Sequence, residues 1–597
     1  MKEQKERVAV KEEYKWDLTP IYSSDEEWHK DLEIAKEEIK KISNYKNLLD
    51  SASNLLDYIE YDEKTERLLY RLYYYAHLNS DADTTDTKYQ KMVKMLSDVM
   101  REYSELGSYI TPLFMKTDYS IIERYLNEEP KLKEYEFNLK DLYRYQKHTL
   151  SEEEEKMLSI LSSSLGNPSE TYEALTDSDM TYGTIIDEEN KQVELTDSNY
   201  SKYISSKDRR VRKEAFDLMY KTYGSFKNTI TSTYNGDIDT NIAIAKIKNY
   251  NSAREASLFD DNVTTEIYDN LVDTVNKNLD VLYKYYDVKK ETLKLDEMHL
   301  YDIYADLIEV ETEEYEFEEA KELVIKALSI LGEDYTNVLN KAFSERWIDI
   351  YNNKGKRSGA YSSGFYDTNP YILLNYEKKL NDVSTLAHEL GHSMHTYYSC
   401  KNNPYQYSSY NIFVAEVAST VNELLLSKYM LKNSKNKNEK LYILNRLMEL
   451  FKGTIYRQTM FAEFERDMYA KRENKEALTN ETLCNAYYDL NKKYFGPNIV
   501  VDEEIKYEWE RIPHFYYNFY VYKYATGLSA ACYIVEGIIN GRENALEDYL
   551  NFLKTGGSMY PVDELKVAGV DIKNPKVIES AIHMFNDTIE EFKTLIK

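Results

Sequence analysis

The stretch N-D-V-S-T-L-A-H-E-L-G-H-S-M-H, residues 381–395, combines the spacing of a buried helix with closely placed histidines. Asn381 or Asp382 can cap the N-terminus of a helix. Apolar residues then recur at helical spacing, at Val383, Leu386, Ala387, Leu390 and Met394. One apolar face and one polar face predict an amphipathic helix that packs against the core.

The pentapeptide H-E-L-G-H on this helix predicts a zinc site. His388 and His392 are one turn apart on the same face, so both imidazoles can bind one zinc ion from one side. Glu389 lies one position further round, where it can take a proton from a zinc-bound water. Histidine is scarce, 9 in 597 residues, which weighs against a chance pentapeptide on an ordinary helix. Gly391 weakens a helix by about 1 kcal/mol relative to alanine, which indicates that another group approaches closely there.

A third zinc ligand is expected downstream, because a catalytic zinc usually has three protein ligands and one open position. Residues 412–426 predict a second helix with a strongly apolar face, and this helix carries Glu416 and Glu423. The two carboxylates lie two turns apart on roughly the same face, so spacing alone does not choose between them. An acid in an apolar stretch is costly unless it is paired or metal-bound, and this argument favours Glu416.

The sequence H-E-L-G-H, followed by A-E-V-A-S-T-V-N-E, resembles the thimet oligopeptidase (M3) family of zinc metallopeptidases, and in pattern its oligoendopeptidase F branch. The resemblance implies that the glutamate of the second helix, Glu416, is the third ligand. It extends to the opening W-D-L-T-P-I-Y, residues 16–22, and to the glycine-rich segment described below.

Composition bounds the class of protein. A chain of 597 residues is too long for one compact core, and 42% hydrophobic with 30% charged residues is typical of a globular protein. The net charge of −29 argues against nucleic acid and against anionic membranes as partners. It either serves solubility or marks a channel that attracts basic peptides, and net charge does not choose between the two.

The cysteines and the N-terminus indicate a cytoplasmic location. Cys400, Cys484 and Cys532 form a sparse, odd set that does not suggest a disulfide framework. The N-terminal stretch, residues 1–7, is charged, and no apolar segment of a secretory signal follows it. No apolar run approaches the roughly 18 residues of a membrane span.

Helical patterning dominates the chain, with few glycines (18) and prolines (10) to interrupt it. Residues 181–195 differ, because two β-prone runs flank D-E-E-N and predict a hairpin. This hairpin is a plausible boundary after the first lobe. We therefore predict an N-terminal helical lobe, residues 1–200, and a catalytic zinc metallopeptidase domain, residues 201–597.

A glycine-rich segment, residues 355–367, precedes a strand-like run, residues 370–376. Zinc peptidases commonly bind a substrate by adding the peptide to an exposed strand edge, where the backbone makes the contacts. Glycines would permit the backbone to approach and move. The alternative is an ordinary turn followed by a buried strand; the position just before the zinc helix favours the substrate role.

The stretch W-E-R-I-P-H-F-Y-Y-N-F-Y-V-Y-K-Y, residues 509–524, predicts a helix that begins at Pro513. His514, Tyr517 and Tyr524 would then lie on one side of it. From the sequence alone, an aromatic core helix is the favoured interpretation. The resemblance to the M3 family implies instead that a histidine and tyrosines of this region face the zinc and donate hydrogen bonds to the oxyanion. The tyrosine spacing departs from the thimet oligopeptidase branch, so either tyrosine can hold this role.

The family resemblance implies a mainly α fold, with two helical lobes enclosing a deep substrate channel and a small β element near the zinc. It implies one Zn²⁺ ion and an oligoendopeptidase that admits short unstructured peptides. Two alternatives stay open: a carboxypeptidase of similar fold, and a helical peptide-binding scaffold without catalysis. The intact set of His388, Glu389, His392 and Glu416 argues against the scaffold. The sequence gives no oligomeric state.

Overall fold

The chain is mainly α-helical, as the sequence predicts. The structure is a computed structural model that describes residues 5–308 and 313–597, so the first four residues of the charged N-terminal stretch lie outside the described part. The α-helices are, in chain order, α1 (Asp25–Glu38), α2 (Ala52–Ala82), α3 (Thr87–Gly107), α4 (Ile110–Lys116), α5 (Tyr119–Glu128), α6 (Glu136–Arg144), α7 (Glu152–Glu173), α8 (Asp197–Ile204), α9 (Arg209–Ser225), α10 (Lys227–Ile247), α11 (Ala253–Phe259), α12 (Thr265–Lys277), α13 (Leu279–Thr292), α14 (Phe317–Leu328), α15 (Glu333–Ser344), α16 (Leu380–Asn402), α17 (Ile412–Asn433), α18 (Lys437–Phe451), α19 (Gln458–Glu473), α20 (Asn480–Phe495), α21 (Tyr522–Ile539), α22 (Ala545–Phe552), α23 (Pro561–Val567) and α24 (Pro575–Ile596). The strands are β1 (Thr184–Ile186), β2 (Gln192–Glu194), β3 (Met298–His299), β4 (Ile348–Asp349), β5 (Tyr361–Ser363), β6 (Tyr371–Leu373) and β7 (Ile499–Val500).

Two compact units divide the chain, and each is assembled from three separate stretches. Within the described residues, the first unit comprises 5–149, Glu313–Lys432 and Gly537–Gly569. The second comprises 150–308, Asn433–Glu536 and Val570–Lys597. The boundaries of these units differ from those of the predicted lobe, residues 1–200, and the predicted domain, residues 201–597. The division into that lobe and that domain stays a prediction.

The first unit contains a small mixed sheet beside α16, which confirms the predicted β element near the H-E-L-G-H helix. Its strand order is β4-β6-β5, with β4 parallel and β5 antiparallel to β6. The central strand β6 is fully buried, and Tyr371 and Leu373 on it pack with α1, α2 and α3 in one hydrophobic cluster. Strand β5 is an edge strand, because among the described residues it pairs only with β6.

The second unit contains the predicted hairpin. β1 and β2 are antiparallel, and Ile185 lies opposite Val193. Asp187 accepts the backbone N–H of Lys191 through its side chain at 2.8 Å, and Asn190 has a φ of +59°, which asparagine tolerates in tight turns. The turn residues D-E-E-N therefore close the hairpin as the sequence predicts.

The prediction of a single helix that begins at Pro513 is wrong. Pro513–Tyr516 form a short 3₁₀ helix, and α21 begins only at Tyr522. Between them Asn518 and Phe519 have φ values of +43° and +59°. A right-handed helix cannot continue through two left-handed residues, so the helix ends and restarts there. No helix in the described part of the chain is long and apolar enough to cross a membrane.

Candidate active site

Helix α16 carries the H-E-L-G-H sequence and forms as predicted. The predicted N-cap is wrong, because the helix begins at Leu380 and places both Asn381 and Asp382 inside its first turn. From there one carboxylate oxygen of Asp382 accepts the backbone N–H groups of Glu377 and Lys379 at 2.9 Å each. The predicted apolar face is buried at every position: Val383, Leu386, Ala387, Leu390 and Met394. Burial of this face fixes the rotation of the helix, and with it the direction of the two histidines.

Helix α17 crosses α16 at Gly391, which confirms the predicted close approach. A Cβ atom on Gly391 would lie 2.5 Å from Cα of Ser419 and 2.6 Å from the carbonyl oxygen of Ala418. Only glycine therefore allows the two backbones to meet. Asn422 of α17 donates to the carbonyl of Ala387 on α16 at 3.1 Å, one turn along the crossing.

The crossing brings three candidate metal ligands together. Nε2 of His388 and Nε2 of His392 are 3.2 Å apart. Oε2 of Glu416 lies 3.4 Å from Nε2 of His388 and 3.5 Å from Nε2 of His392. Two imidazole nitrogens and one carboxylate oxygen within 4.8 Å of one another could hold one metal ion. This donor set fits zinc, which accepts nitrogen and oxygen ligands and keeps a position for water at catalytic sites.

The sequence argument for Glu416 rests on burial, and that premise is wrong. The side chain of Glu416 is 57% exposed, whereas that of Glu423 is 27% exposed. What distinguishes the two carboxylates is direction. The carboxylate of Glu416 points toward the Nε2 atoms of both histidines, and Ser419 donates to its Oε2 at 3.0 Å. The carboxylate of Glu423 instead contacts Nδ1 of His388, on the opposite side of that ring.

Glu423 supplies a contact that the sequence analysis missed. Its Oε1 lies 2.6 Å from Nδ1 of His388. A ligating histidine usually donates its second ring N–H to a carboxylate, which fixes the ring and its tautomer. The signal was present in the sequence, because Glu423 lies seven residues, or two turns, after Glu416 on the same helix.

Charges around the site favour a cation between the two helices. Burial by itself would lower the pKa of His388, but Glu423, Glu389 and Glu416 raise it to about 9. Burial by itself would raise the pKa of Glu416, but His392 and His388 lower it to about 2. The carboxylates thus stabilise positive charge at the point where the Nε2 atoms converge.

Glu389 lies beside the two histidines and is 6% exposed. Burial raises the pKa of its carboxyl group above the ordinary value; His388 and His392 act against that shift, and the carboxylates Glu416 and Glu423 add to it. A buried carboxylate with a raised pKa is a stronger proton acceptor than an exposed one.

Edge strand β5 lies directly beside α16. Ser362 in its centre and Ser393, the residue after His392, share a hydroxyl hydrogen bond of 2.8 Å. Ile372 of β6 donates its N–H to the carbonyl oxygen of Trp347, the residue just before β4. Since β-strand residues alternate, its register partner Ser362 directs its own backbone N–H and C=O away from β6, toward the open edge. The open edge therefore belongs to a strand whose central residue contacts Ser393, the neighbour of His392.

A cavity of about 650 Å³ opens next to β5 within the first unit. Tyr70, Tyr74 and Phe365 form an aromatic wall, with the Tyr74 and Phe365 rings stacked at 4.9 Å. Thr396, one turn beyond His392 on α16, also lines it. The cavity therefore begins about one helical turn from the candidate ligands, and it can accommodate a few peptide side chains.

The three predicted oxyanion donors belong to the second unit, whereas the candidate metal ligands belong to the first. Within the second unit, Oη of Tyr524 lies 3.5 Å from Nε2 of His514. The ring of Tyr517 lies 5.5 Å from that of His514, and Tyr517 is 50% exposed. Burial lowers the pKa of His514 below its ordinary value.

A mainly helical chain with H-E-L-G-H on one helix and a convergent glutamate on the next defines a metallopeptidase. The family model "Peptidase family M3" matches residues 202–584, and the model "Oligopeptidase F" matches residues 114–182. The chain belongs to Peptidase family M3, as the sequence resemblance predicts.

Relatives and solved structures match along the whole chain. Oligopeptidase PepF of Bacillus subtilis (strain 168) is 44% identical over 592 residues, which covers 99% of this chain and 88% of the relative. A putative peptidase from Chlamydophila abortus superposes with a TM-score of 0.94 at 38% identity, covering 99% of this chain and 100% of that one. Oligoendopeptidase-F from Enterococcus faecium superposes with a TM-score of 0.73 at 36% identity, covering 96% of this chain and 99% of that one.

Proposed function

We propose that this member of the M3 family is a zinc-dependent oligoendopeptidase that cleaves internal bonds of short unstructured peptides. The observation that carries the proposal is the convergence of His388, His392 and Glu416, with Glu389 beside them. The names of the similar proteins, oligopeptidase and oligoendopeptidase, support the substrate class.

His388, His392 and Glu416 would hold the ion. Bound there, zinc would supply Lewis-acid chemistry: it would polarise the peptide carbonyl and lower the pKa of a water molecule to about 7. Glu423 fixes the ring of His388 through Nδ1 and so leaves Nε2 as the ligand atom.

Glu389 acts as general base and then as general acid. Its carboxylate accepts a proton from the attacking water and passes that proton to the leaving amine when the C–N bond breaks. Burial of Glu389 strengthens it as the proton acceptor in the first step. The proton thus moves from water to nitrogen through one side chain.

The open edge of β5 would bind the backbone of the substrate. Ser362 offers one N–H and one C=O to an extended peptide, and backbone contacts of this kind accept any side chain. The neighbouring cavity would take side chains of the bound peptide. A folded protein offers no free extended segment to a strand edge, so short unstructured peptides fit best.

His514 and either Tyr517 or Tyr524 would donate hydrogen bonds to the oxyanion. The support is the family resemblance of this stretch, together with the approach of Tyr524 to His514 inside the second unit. An imidazole N–H and a phenol O–H are donors of the kind that stabilise a tetrahedral oxyanion.

The cytoplasm is the proposed location, because Cys400 and Cys484 are thiols rather than halves of a disulfide. Digestion of a mixed peptide library, with sequencing of the products, tests the reaction. Internal cuts are expected. Products shortened only from the C-terminus would identify a carboxypeptidase, and metal-loaded protein without any cleavage would identify a binding scaffold.

A further inference from the structure

The turn formed by Asn518 and Phe519 has an unusual backbone. Both residues are left-handed, with φ of +43° and +59°, and neither is glycine. A bulky side chain such as phenylalanine rarely adopts this conformation. Surrounding contacts must therefore hold the turn, and such strain is concentrated at functional sites.

Glu465 of α19 makes the central contact to this turn. Its Oε1 accepts the backbone N–H of Phe519 at 2.7 Å, and the carboxyl group is fully buried. Its Oε2 has no hydrogen-bond partner in the described part of the chain. Burial, with a further contribution from Asp237, raises the pKa of Glu465 to about 8 although the Phe519 N–H lowers it. The carboxyl group of Glu465 is thus buried at a cost in free energy, and its hydrogen bond to Phe519 offsets part of that cost.

Two further contacts fix the turn from other sides. Ser257 donates its hydroxyl to the carbonyl oxygen of Asn518 at 2.5 Å. The ring of Phe519 packs 4.6 Å from that of Tyr469 and 5.8 Å from that of Tyr268. Glu465 is the contact that satisfies the buried N–H of the left-handed residue itself.

The turn separates two of the proposed oxyanion donors. His514 lies in the 3₁₀ helix before it, and Tyr524 lies in the first turn of α21 after it. Yet Oη of Tyr524 and Nε2 of His514 are 3.5 Å apart. The chain must reverse between them, so the conformation of the turn sets their spacing.

We propose that Glu465 is a positioning residue for peptide hydrolysis: by accepting the N–H of Phe519 it holds the 518–519 turn, and through the turn the spacing of His514 and Tyr524. This inference rests on the proposed function, and on Tyr524 rather than Tyr517 being the tyrosine that donates to the oxyanion beside His514. Glu465 makes its described hydrogen bond to the Phe519 N–H and not to His514 or Tyr524, so it would act through the turn.

Two substitutions of similar size test the role of the acceptor. Glu465→Gln keeps a carbonyl oxygen that can accept the N–H, whereas Glu465→Met removes it. We expect Gln to keep kcat within about twofold of the parent, and Met to lower kcat by about tenfold or more with KM and zinc content unchanged, because a transition-state contact is lost. Equal kcat values for the two variants would overturn the inference. If Glu465→Met does not fold, Glu465→Asp replaces it, since the shorter carboxylate cannot reach Phe519.

A double-mutant cycle with Tyr524→Phe shows whether Glu465 acts through Tyr524. We expect Glu465→Met to lower kcat little further in the Tyr524→Phe background, because residues that act as a unit are not additive. Additive losses would contradict the inference. A normal kcat in Tyr524→Phe would refute the oxyanion role of Tyr524, and the inference about Glu465 with it. A reduced kcat in Tyr524→Phe together with a normal kcat in Glu465→Met would refute the role of Glu465 alone.

Glu463 provides the matched control. It lies two residues away on α19, is 5% exposed, and contacts Lys493 and Tyr494 rather than the turn. Glu463→Ala should lower the melting temperature and leave kcat unchanged. A kcat loss in Glu463→Ala as large as that in Glu465→Met would show that any damage to α19 slows the enzyme, which would overturn the positioning role.

Discussion

Oε1 of Glu423 lies 2.6 Å from Nδ1 of His388, on the side of the ring opposite the Nε2 atom that faces Glu416. The carboxylate of Glu423 therefore contacts Nδ1 of the candidate ligand His388 and leaves its Nε2 atom free to bind a metal ion. Such a partner orients the imidazole and raises its basicity. Glu416 and Glu423, both on α17, thus have different consequences when they are removed.

Glu423→Ala should weaken zinc binding without abolishing it. Loss of an outer partner of a ligating histidine typically costs about 10- to 100-fold in metal affinity. Titration against a chelator of known affinity measures the change, and zinc at saturating concentration should restore most of the activity. Unaltered affinity would mean that the contact between Glu423 and His388 does not serve the metal.

His388→Ala or Glu416→Ala should lose the ion altogether, because zinc at a catalytic site needs three protein ligands. Metal analysis of the purified variants, set beside the Glu423→Ala protein, gives the comparison. Chelation should likewise abolish activity in the parent enzyme, and added zinc should restore it. Full zinc occupancy in Glu416→Ala would transfer the ligand role to Glu423.

Glu389→Gln should retain zinc and lose several orders of magnitude in turnover. The amide has nearly the shape of the carboxyl group but cannot accept the proton of the attacking water. Zinc content and kcat are measured on the same preparation. A metal-loaded Glu389→Gln enzyme with near-normal turnover would rule out this base.

Either Tyr517→Phe or Tyr524→Phe should lower kcat by a factor of about 10² to 10³, the usual worth of one oxyanion donor. Only the hydroxyl is removed, so zinc content and melting temperature should not change. An aromatic core stripe predicts the reverse: normal kcat in both phenylalanine variants and lower stability in the alanine variants. In that case His514 alone would remain as the candidate donor.

Asp349→Asn should destabilise the protein at neutral pH. Asp349 is fully buried and pairs with Arg7 and with Lys356, whose Nζ lies 2.7 Å from Oδ1. Burial alone would raise the pKa of Asp349, but the two cations hold it below its ordinary value. Its contribution to stability is therefore present above the unfolded pKa of about 4 and is lost as the pH falls through the lower folded pKa.

Removing one partner of such a buried group typically costs about 3–5 kcal/mol. Thermal unfolding of Asp349→Asn from pH 7 to pH 2 should show a deficit that stays level down to about pH 4 and shrinks below it. The control is Asp98→Asn, since Asp98 is 48% exposed and pairs only on the surface. A deficit that does not change with pH would mean that the charge of Asp349 contributes little.

The sequence predicted what depends on local periodicity. The apolar face of α16 determines its rotation, the positions of His388 and His392 follow from that rotation, and Gly391 marks the crossing. The hairpin at residues 184–194 was likewise predictable, because its turn residues tolerate the backbone they adopt.

What the sequence did not predict depends on how α17 crosses α16 and on tertiary contacts. Burial could not distinguish Glu416 from Glu423, because the direction of each carboxylate depends on the crossing at Gly391. The prediction of one helix from Pro513 failed for a similar reason. The left-handed backbone of Phe519 is stabilised by a hydrogen bond to Glu465, which lies 54 residues earlier in the chain. Aromatic residues at helical spacing carry no sign of such a contact.

The close contact of α16 and α17 at Gly391 also couples metal binding to folding. Two candidate ligands lie on α16 and the third on α17, so an ion between them ties together the helices that meet at Gly391. Any ligand that binds only the folded state adds to its stability, by about 2.7 kcal/mol when its concentration is 100 times its dissociation constant. With zinc as the proposed ion, we therefore expect protein prepared without zinc to unfold at a lower temperature than the same protein saturated with zinc.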